Sequence, residues 1–123
     1  MTIIEAIGII NALKPNNFTE LDKVGWLSEI EMIIKTNIID THEGGDKIVF
    51  NGYDQETNTE TKLLVSEPYD DIYIKWLESK IDYHNAEYQK YNNSVTALNN
   101  IYSAFERYYN RQHMPIQTKL KYF

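Results

Sequence analysis

The sequence predicts a mainly α-helical domain, a bundle of about four helices with a small β-hairpin insertion and an extended C-terminal tail. Four segments carry apolar residues at helical spacing, and the first two begin with capping residues. Between the second and third segments, glycines and short apolar runs replace that spacing, which favours strands. A chain of 123 residues has room for one core. We therefore expect a helical domain over residues 1–115 and a tail over residues 116–123.

The first predicted helix is short. Thr2 and Glu5 have the spacing of a capping box, and Pro15 cannot continue a helix. Its apolar residues recur on one face at helical spacing: Ile3, Ala6, Ile7, Ile10 and Leu13. This helix should therefore pack one face against other apolar surface.

The second helix is predicted to begin after Thr19, with Asp22 as its other capping residue, and to run to about Lys35. One side of it is apolar, with Trp26 beside that side: Leu21, Val24, Leu27, Ile30 and Ile34. Met32 and Ile33 widen the apolar surface, which indicates contacts on more than one side.

Residues 40–67 lose the helical spacing, because three glycines disfavour a helix there. Two short apolar runs, Lys47–Phe50 and Lys62–Val65, predict a β-hairpin at about residues 47–65, with the polar stretch Gly52–Glu60 as its tip. A two-stranded ribbon is marginal alone in water. We therefore expect it to lean on the helices or to add to a sheet from another chain.

A third helix is predicted to open at Glu67-Pro68, because proline suits the first helical position and Asp70 and Asp71 complement the helix dipole. After a linker at Asn92-Asn93-Ser94, an amphipathic fourth helix runs to Pro115. A short linker between long helices predicts an antiparallel pair. The alternative is that both helices run on as one rod.

The segment Ile116–Phe123 is the predicted tail. It ends on Tyr122 and Phe123 with two lysines nearby, a pattern typical of a peptide that docks in a groove or along a strand edge. The alternative is a frayed end.

Composition excludes several classes of protein. No apolar run approaches the roughly 18 to 20 residues that a membrane span needs, and the first residues have no secretion pattern. We therefore expect a soluble chain with no membrane partner. Because the chain has no cysteine, disulfides, thiolate metal sites and cysteine nucleophiles are excluded.

The net charge of −6 is unevenly distributed. The first 87 residues hold 17 of the 18 acidic residues and seven of the twelve basic ones. The other five basic residues are too sparse for a phosphate-binding patch: Lys90, Arg107, Arg111, Lys119 and Lys121. An acidic body with a basic C-terminal third could instead attract copies of the chain head to tail.

No set of residues predicts catalysis. His42, His84 and His113 lie in three different segments, without the spacing that places two metal ligands on one helical face. The loop His42–Asp46 offers too few oxygen ligands for calcium, and the glycines form no phosphate-binding motif. We therefore predict a protein that is not an enzyme and has no cofactor and no bound metal.

Tyrosine is the marked enrichment, at ten of 123 residues. Its ring buries apolar area while its hydroxyl needs a polar partner, so tyrosine is common in cores and at interfaces. A base-stacking surface would need interleaved basic residues, which the third helix largely lacks. We therefore predict a protein interface drawn from the hairpin tip, the aromatic helices, the basic residues and the tail: Tyr53, Asp54, Glu56, Tyr69, Tyr73, Trp76, Tyr83, Tyr88, Arg107, Arg111, Ile116, Leu120, Tyr122 and Phe123.

Several stretches together carry a resemblance to a known family. They are Thr41–Gly44, Leu64–Val65, Pro68–Glu78, Asp82–Tyr83, Glu87–Tyr88, Tyr91–Ser94, Tyr109–Arg111 and His113–Pro115. In these the chain resembles the head-tail connector (adaptor, head-completion) proteins of long-tailed bacteriophages and of prophages in Gram-positive bacteria. The resemblance covers about residues 2–115, and its motifs are structural, not catalytic.

The resemblance implies a helical protein of the virion neck that assembles after DNA packaging, commonly as a twelve-fold ring beneath the portal. Its implied partners are further copies of itself, the portal protein and the next neck or tail-completion protein, with DNA only as passing cargo in the lumen. Before assembly the chain would be in the host cytoplasm. The alternative function is a small prophage-encoded helical interaction module or regulator, without ring-forming contacts.

Overall fold

A computed structural model describes residues 1–116 of the chain, and in this part four α-helices surround a common core. The helices are α1 (Ile3–Leu13), α2 (Glu20–Asn37), α3 (Asp71–His84) and α4 (Tyr88–Gln112). The predicted mainly helical class is therefore confirmed. No helix among the described residues is both long enough and apolar enough to cross a membrane.

The first two helices begin where their capping residues predict. The Thr2 hydroxyl accepts a hydrogen bond from the Glu5 backbone N–H at 3.2 Å, and the Thr19 hydroxyl accepts one from Asp22 at 3.0 Å. In both, the acidic side chain accepts from the backbone N–H of the capping threonine, which completes a capping box. Helix α2 ends two residues later than predicted, at Asn37.

The predicted β-hairpin at about residues 47–65 is wrong, because the described part of the chain contains isolated bridges and no strands. Residues 48–65, here named the irregular segment, form local turns, as where Thr57 N–H donates to Asp54 O at 3.1 Å, and make their long-range hydrogen bonds with α2, α3 and the N-terminus and not as two paired strands. Leu63 donates its backbone N–H to Met1 O at 2.9 Å, and Leu64 donates to the Glu31 carboxylate at 2.9 Å. These long-range acceptors satisfy the backbone groups that a second strand would have used.

Helix α3 begins later than predicted. The Glu67-Pro68 pair lies before the helix, Asp70 occupies the N-cap position, and the first helical residue is Asp71. A turn precedes the helix, in which Tyr69 N–H donates to Ser66 O at 3.0 Å. Proline at 68 therefore belongs to the turn that enters the helix and not to the helix itself.

Helices α3 and α4 form the predicted antiparallel pair, but the linker is Asn85–Glu87 and not Asn92-Asn93-Ser94. Ala86 has a positive φ of 57°, and Glu87 N–H closes the turn onto Asp82 O at 2.9 Å. Ser94 lies inside α4, where its hydroxyl donates to Asp82 at 2.9 Å. Because that partner satisfies a buried polar side chain, the helix continues through residues whose type suggested a loop.

Helix α3 lies at the centre of the fold, since it packs against α1, α2 and α4. The core draws on all four helices, on the turn after α2 and on the irregular segment. Its buried apolar side chains are Ile3, Ala6, Ile7, Ile10, Val24, Leu27, Ile30, Ile34, Ile38, Ile39, Leu63, Val65, Ile72, Tyr73, Ile74, Leu77, Ile81, Leu98, Phe105 and Tyr109.

The last described residues return to the turn after α2. Glu43 N–H donates to Met114 O at 2.8 Å, and Ile116 N–H donates to Thr41 O at 2.9 Å. His42 and Pro115 form an antiparallel bridge between these bonds. The predicted tail therefore starts from a fixed position at Ile116, while residues 117–123 lie outside the described part of the chain.

Candidate protein-interaction surfaces

An open groove between α3 and α4 is lined by three aromatic rings, from Trp76, Tyr83 and Tyr91. Its cavity measures about 490 Å³. Helix α3 supplies Trp76, Ser79, Lys80 and Tyr83, and α4 supplies Tyr91, Val95, Leu98 and Asn99. We call this the aromatic groove. Its apolar side chains and few polar groups fit a protein contact better than a small polar ligand.

Contacts with α2 hold the α3 side of the aromatic groove in place. The Trp76 indole N–H donates to Trp26 O at 2.7 Å. Lys80 Nζ lies 3.0 Å from a Glu29 carboxylate oxygen and 4.8 Å from the centre of the Trp76 ring. The groove's one cation is therefore already paired, and the groove is close to neutral.

A chain of aromatic rings leads from the aromatic groove to the end of the helical pair. Tyr83 packs against Tyr91, with ring centroids 5.5 Å apart, and against His84 at 5.6 Å. His84 in turn stacks on Trp26 at 5.4 Å, and Trp26 contacts Phe18 at 5.2 Å. Since Tyr83 and His84 are both exposed, this end of the molecule presents aromatic rings to solvent.

A second surface is acidic and lies on the irregular segment. Asp54 and Glu56 are exposed, and Asp54 Oδ1 accepts the Glu56 backbone N–H at 2.8 Å, which holds the turn. Beside this turn, the exposed side chain of Leu21 lines a shallow cavity together with Asp54, Gln55 and Glu56. The predicted hairpin tip is therefore a packed turn that still presents its acids.

A buried carboxylate anchors the irregular segment to α2. Glu31 is fully buried, and it accepts hydrogen bonds from the Tyr53 hydroxyl at 2.7 Å, from Leu64 N–H at 2.9 Å and from the Tyr73 hydroxyl. Burial raises the pKa of Glu31, although these hydrogen bonds oppose the shift. Burial beside Glu31 also raises the pKa of Tyr73 well above its usual value, so Tyr73 remains a donor.

His42 joins the turn after α2 to the end of α4. Its Nδ1 lies 2.6 Å from Ile38 O, and its Nε2 lies 2.6 Å from the Asn110 side-chain oxygen. Tyr109 packs against His42 and stacks on His113, with centroids 3.9 Å apart in the stacked pair. These contacts fix the place from which Ile116 leaves the body. Nowhere in residues 1–116 do three His, Asp or Glu side chains lie close enough to hold a metal ion.

The predicted interface residues that the structure describes are exposed, half-buried or fully buried. Exposed on the surface are Asp54, Glu56, Tyr83, Tyr88, Arg107, Arg111 and Ile116, and Tyr53, Tyr69 and Trp76 are half-buried. Tyr73 is fully buried, so the structure places it in the core and not at a surface. Leu120, Tyr122 and Phe123 lie outside the described residues.

Sequence reasoning missed the α4 side of the aromatic groove and the role of Glu31. The misplaced linker assigned Tyr91 to the third helix, although Tyr91, Val95 and Leu98 already have the spacing of the α4 apolar face. Glu31 lies one turn from both Leu27 and Ile34 on the buried side of α2. That inward position was a signal that an acid there needs partners.

Comparisons with known proteins identify no relative, since no family model, no curated protein and no solved structure matches the chain.

Proposed function

We propose that the chain is a structural protein of a bacteriophage neck, a head-tail connector that forms a homo-oligomeric ring beneath the portal and joins it to the tail. The observation that carries the proposal is where the resembling stretches lie in the fold. The stretch Pro68–Glu78 forms the turn before α3 and the first half of that helix, Asp82–Tyr83 lies near its end, and Tyr91–Ser94 lies on α4. These stretches supply Trp76, Tyr83 and Tyr91 to the open aromatic groove.

The arrangement of surfaces gives each part of the chain a role in this proposal. The α3–α4 pair would form the ring wall, commonly of twelve copies, with DNA passing through the lumen. The acidic turn at Asp54 and Glu56 and the tail from Ile116 would reach the portal and the next neck or tail-completion protein. If the acids face the lumen, they would repel the DNA backbone and let it slide. Assembly in the host cytoplasm would place the finished ring in the virion neck.

Two features support an assembly role over a reaction. Among the described residues, every buried side-chain nitrogen and oxygen has a hydrogen-bond partner within the fold, as the Glu31 network and the Lys14–Asp82 pair show. Many of the large apolar side chains left at the surface lie on helices, among them Ile4, Leu13 and Leu21, and helix faces of this kind bind protein partners. A monomeric helical interaction module could use the same groove, so the test has to separate the two.

The test is electron cryo-microscopy of the neck of the phage particle that carries this chain. We expect a ring of the chain seated against the portal, with the acidic turn or the tail in contact with a neighbouring protein. If particles are not produced, purified chain is mixed with the purified portal protein and the complex is imaged. Absence from the particle and no binding to portal would refute the connector and leave the interaction module.

A further inference from the structure

The irregular segment contains the one place in the sequence where glycine follows asparagine, Asn51-Gly52. Both residues are exposed. The side-chain amide of an asparagine can react with the backbone nitrogen of the next residue, and the product is a five-membered succinimide ring. Glycine obstructs this approach least, because it has no Cβ. Asn51 is therefore the asparagine of this chain whose neighbour hinders the reaction least.

The backbone at Gly52 leaves the attacking nitrogen accessible. Within residues 1–116 the Gly52 N–H has no backbone acceptor, whereas the next N–H, that of Tyr53, donates to Ser28 Oγ at 3.0 Å. Gly52 has a φ of 97°, in the left-handed region that glycine adopts without strain. The reacting nitrogen therefore belongs to a residue with wide backbone freedom, and no helical hydrogen bond holds it.

Every other asparagine in the sequence is followed by a residue with a side chain. Asn58 lies in the same segment and is also exposed, but its side-chain oxygen accepts the Glu60 backbone N–H at 2.9 Å. The β-branched Thr59 follows it and crowds the backbone nitrogen. Asn92 and Asn93 lie inside α4, where the following backbone N–H groups donate along the helix. These asparagines are internal controls for Asn51.

We propose that Asn51 is a site of spontaneous deamidation, with the Gly52 nitrogen as nucleophile and water as the second reactant. The Gly52 nitrogen loses its proton to solvent and forms a bond to Asn51 Cγ. The bond from Cγ to the side-chain nitrogen breaks, and that nitrogen takes a proton from solvent and leaves as ammonia. Water then adds to either ring carbonyl and opens the ring, which gives aspartate or isoaspartate. The inference does not depend on the proposed function.

Both products change the surface of the irregular segment. Each adds a carboxylate close to the exposed acids Asp54 and Glu56. Isoaspartate also lengthens the main chain by one carbon, immediately before the residue that attaches this segment to α2. That residue is Tyr53, whose N–H donates to Ser28 and whose hydroxyl donates to Glu31 at 2.7 Å. Isoaspartate at position 51 should therefore loosen this attachment, which aspartate should leave intact.

The experiment follows every asparagine in one sample of the purified full chain, incubated at neutral and at mildly alkaline pH. Peptide mapping by mass spectrometry measures the conversion of amide to acid at each position. Methylation by an isoaspartyl methyltransferase distinguishes isoaspartate from aspartate. Asn51→Gln is the matched variant, because it keeps an amide at this exposed position but would have to form a six-membered ring, which closes more slowly. Circular dichroism checks that both proteins are folded.

We expect Asn51 to convert at least about tenfold faster than Asn58, a difference of about 1.4 kcal/mol in activation free energy. Conversion should be faster at the higher pH, because the Gly52 nitrogen has to lose a proton, and isoaspartate should be among the products. Asn51→Gln should abolish the fast conversion. Conversion of Asn51 no faster than that of Asn58, or to aspartate alone, would overturn the inference, because direct hydrolysis forms no ring.

Hydrogen exchange tests the structural consequence on the same material. We expect the Tyr53 amide to exchange faster in the isoaspartate product than in the unmodified chain. Asn51→Asp supplies the charge with a normal backbone, so its Tyr53 amide should exchange as in the unmodified chain. Equal exchange in the isoaspartate product and in Asn51→Asp would overturn the predicted loosening. None of these measurements involves a portal protein, so failure of the connector proposal would leave their outcome unchanged.

Discussion

Tyr73 shows how one side chain can serve two segments at once. It is fully buried, its hydroxyl donates to Glu31, and the same oxygen accepts the Val65 backbone N–H at 2.8 Å. An aromatic residue on a helix that faces the core is expected from apolar spacing. Its position opposite an acid from α2 depends on contacts 42 residues apart, which no local pattern contains.

Replacing Tyr73 with phenylalanine should therefore lower the free energy of unfolding by more than the loss of one hydroxyl usually does. Tyr73→Phe leaves the buried Val65 N–H without its acceptor and removes one of the three donors to Glu31. We expect the free energy of unfolding to fall by about 2–3 kcal/mol in urea titrations. Tyr53→Phe is the control, since Tyr53 is half-buried and water can replace its hydroxyl, and it should cost about 1 kcal/mol or less. Equal losses would contradict this account.

The Glu31 carboxyl should make stability depend on pH in a particular direction. Burial raises the pKa of Glu31 above its usual value of about 4.5, so the folded chain holds this proton more tightly than the unfolded chain. Its contribution is therefore fully present below that usual value and is lost as pH rises through the raised pKa. Over a pH range that begins below this usual value and extends well above it, the wild-type chain should lose stability relative to Glu31→Gln as pH rises.

Urea titrations of both proteins across this range measure the difference, in which most other titrating groups cancel. The side chains that face Glu31 are Tyr53 and Tyr73, whose own pKa values are raised by burial and by the Glu31 charge, so they stay protonated throughout. If the difference in stability between the two proteins did not change with pH, or changed in the opposite direction, then burial would not be the main influence on the pKa of Glu31.

Helices and loops were predicted correctly where the contacts that determine them join residues close together in the sequence. The starts of α1 and α2 depend on Thr2 and Thr19, whose partners are three residues away, and both were predicted. The irregular segment depends on Met1 and Glu31, more than 30 residues away, and was predicted as a hairpin. The α3–α4 linker was misplaced because the hydrogen bond from Ser94 to Asp82, which lets Ser94 lie inside a helix, forms only when the two helices pack together.

Replacing two of the glycines with alanine should change the stability of the fold in opposite directions. Gly8 lies inside α1 with open space at its Cβ position, so Gly8→Ala should raise the free energy of unfolding by roughly 0.5–1 kcal/mol. Gly45 begins a 3-10 turn, and a Cβ there would lie 2.1 Å from Ile39 O. Gly45→Ala must therefore shift backbone and should lower stability by about 1–3 kcal/mol.

Thermal unfolding at low protein concentration, where association contributes little, compares the two variants. If Gly8→Ala destabilised the dilute chain, then Gly8 would have a role inside the single chain.

At the scale of the whole molecule, the sequence predicted which residues lie at interaction surfaces better than it predicted which of them lie together in one surface. Trp76 and Tyr83 were predicted at an interface, and both line the aromatic groove. Val95, Leu98 and Asn99, which complete the groove, could not be joined to them until the linker was placed at Asn85–Glu87. A groove between helices is a property of their pairing, and pairing is set by long-range packing.

Asp82 connects three helices, so the loss of one of its partners should lower the stability of the whole fold. It is fully buried on α3, where Lys14 from the end of α1 and Ser94 from α4 are its side-chain partners. Lys14→Met keeps the aliphatic part of the side chain but leaves a buried carboxylate without its cation. We expect a loss of roughly 3 kcal/mol in urea titrations. Adding Asp82→Asn should recover part of this loss, because an amide needs no counter-charge.

The matched control is Lys80→Met, because Lys80 also forms an ion pair but with Glu29, whose side chain is 53% exposed. Solvent screens that pair, so its loss should cost about 1 kcal/mol or less. If the two methionine variants were equally stable, the pairing of Lys14 with Asp82 would be no stronger than a surface ion pair. The junction of α1, α3 and α4 would then depend on apolar packing alone, and Asp82→Asn in the Lys14→Met background would recover nothing.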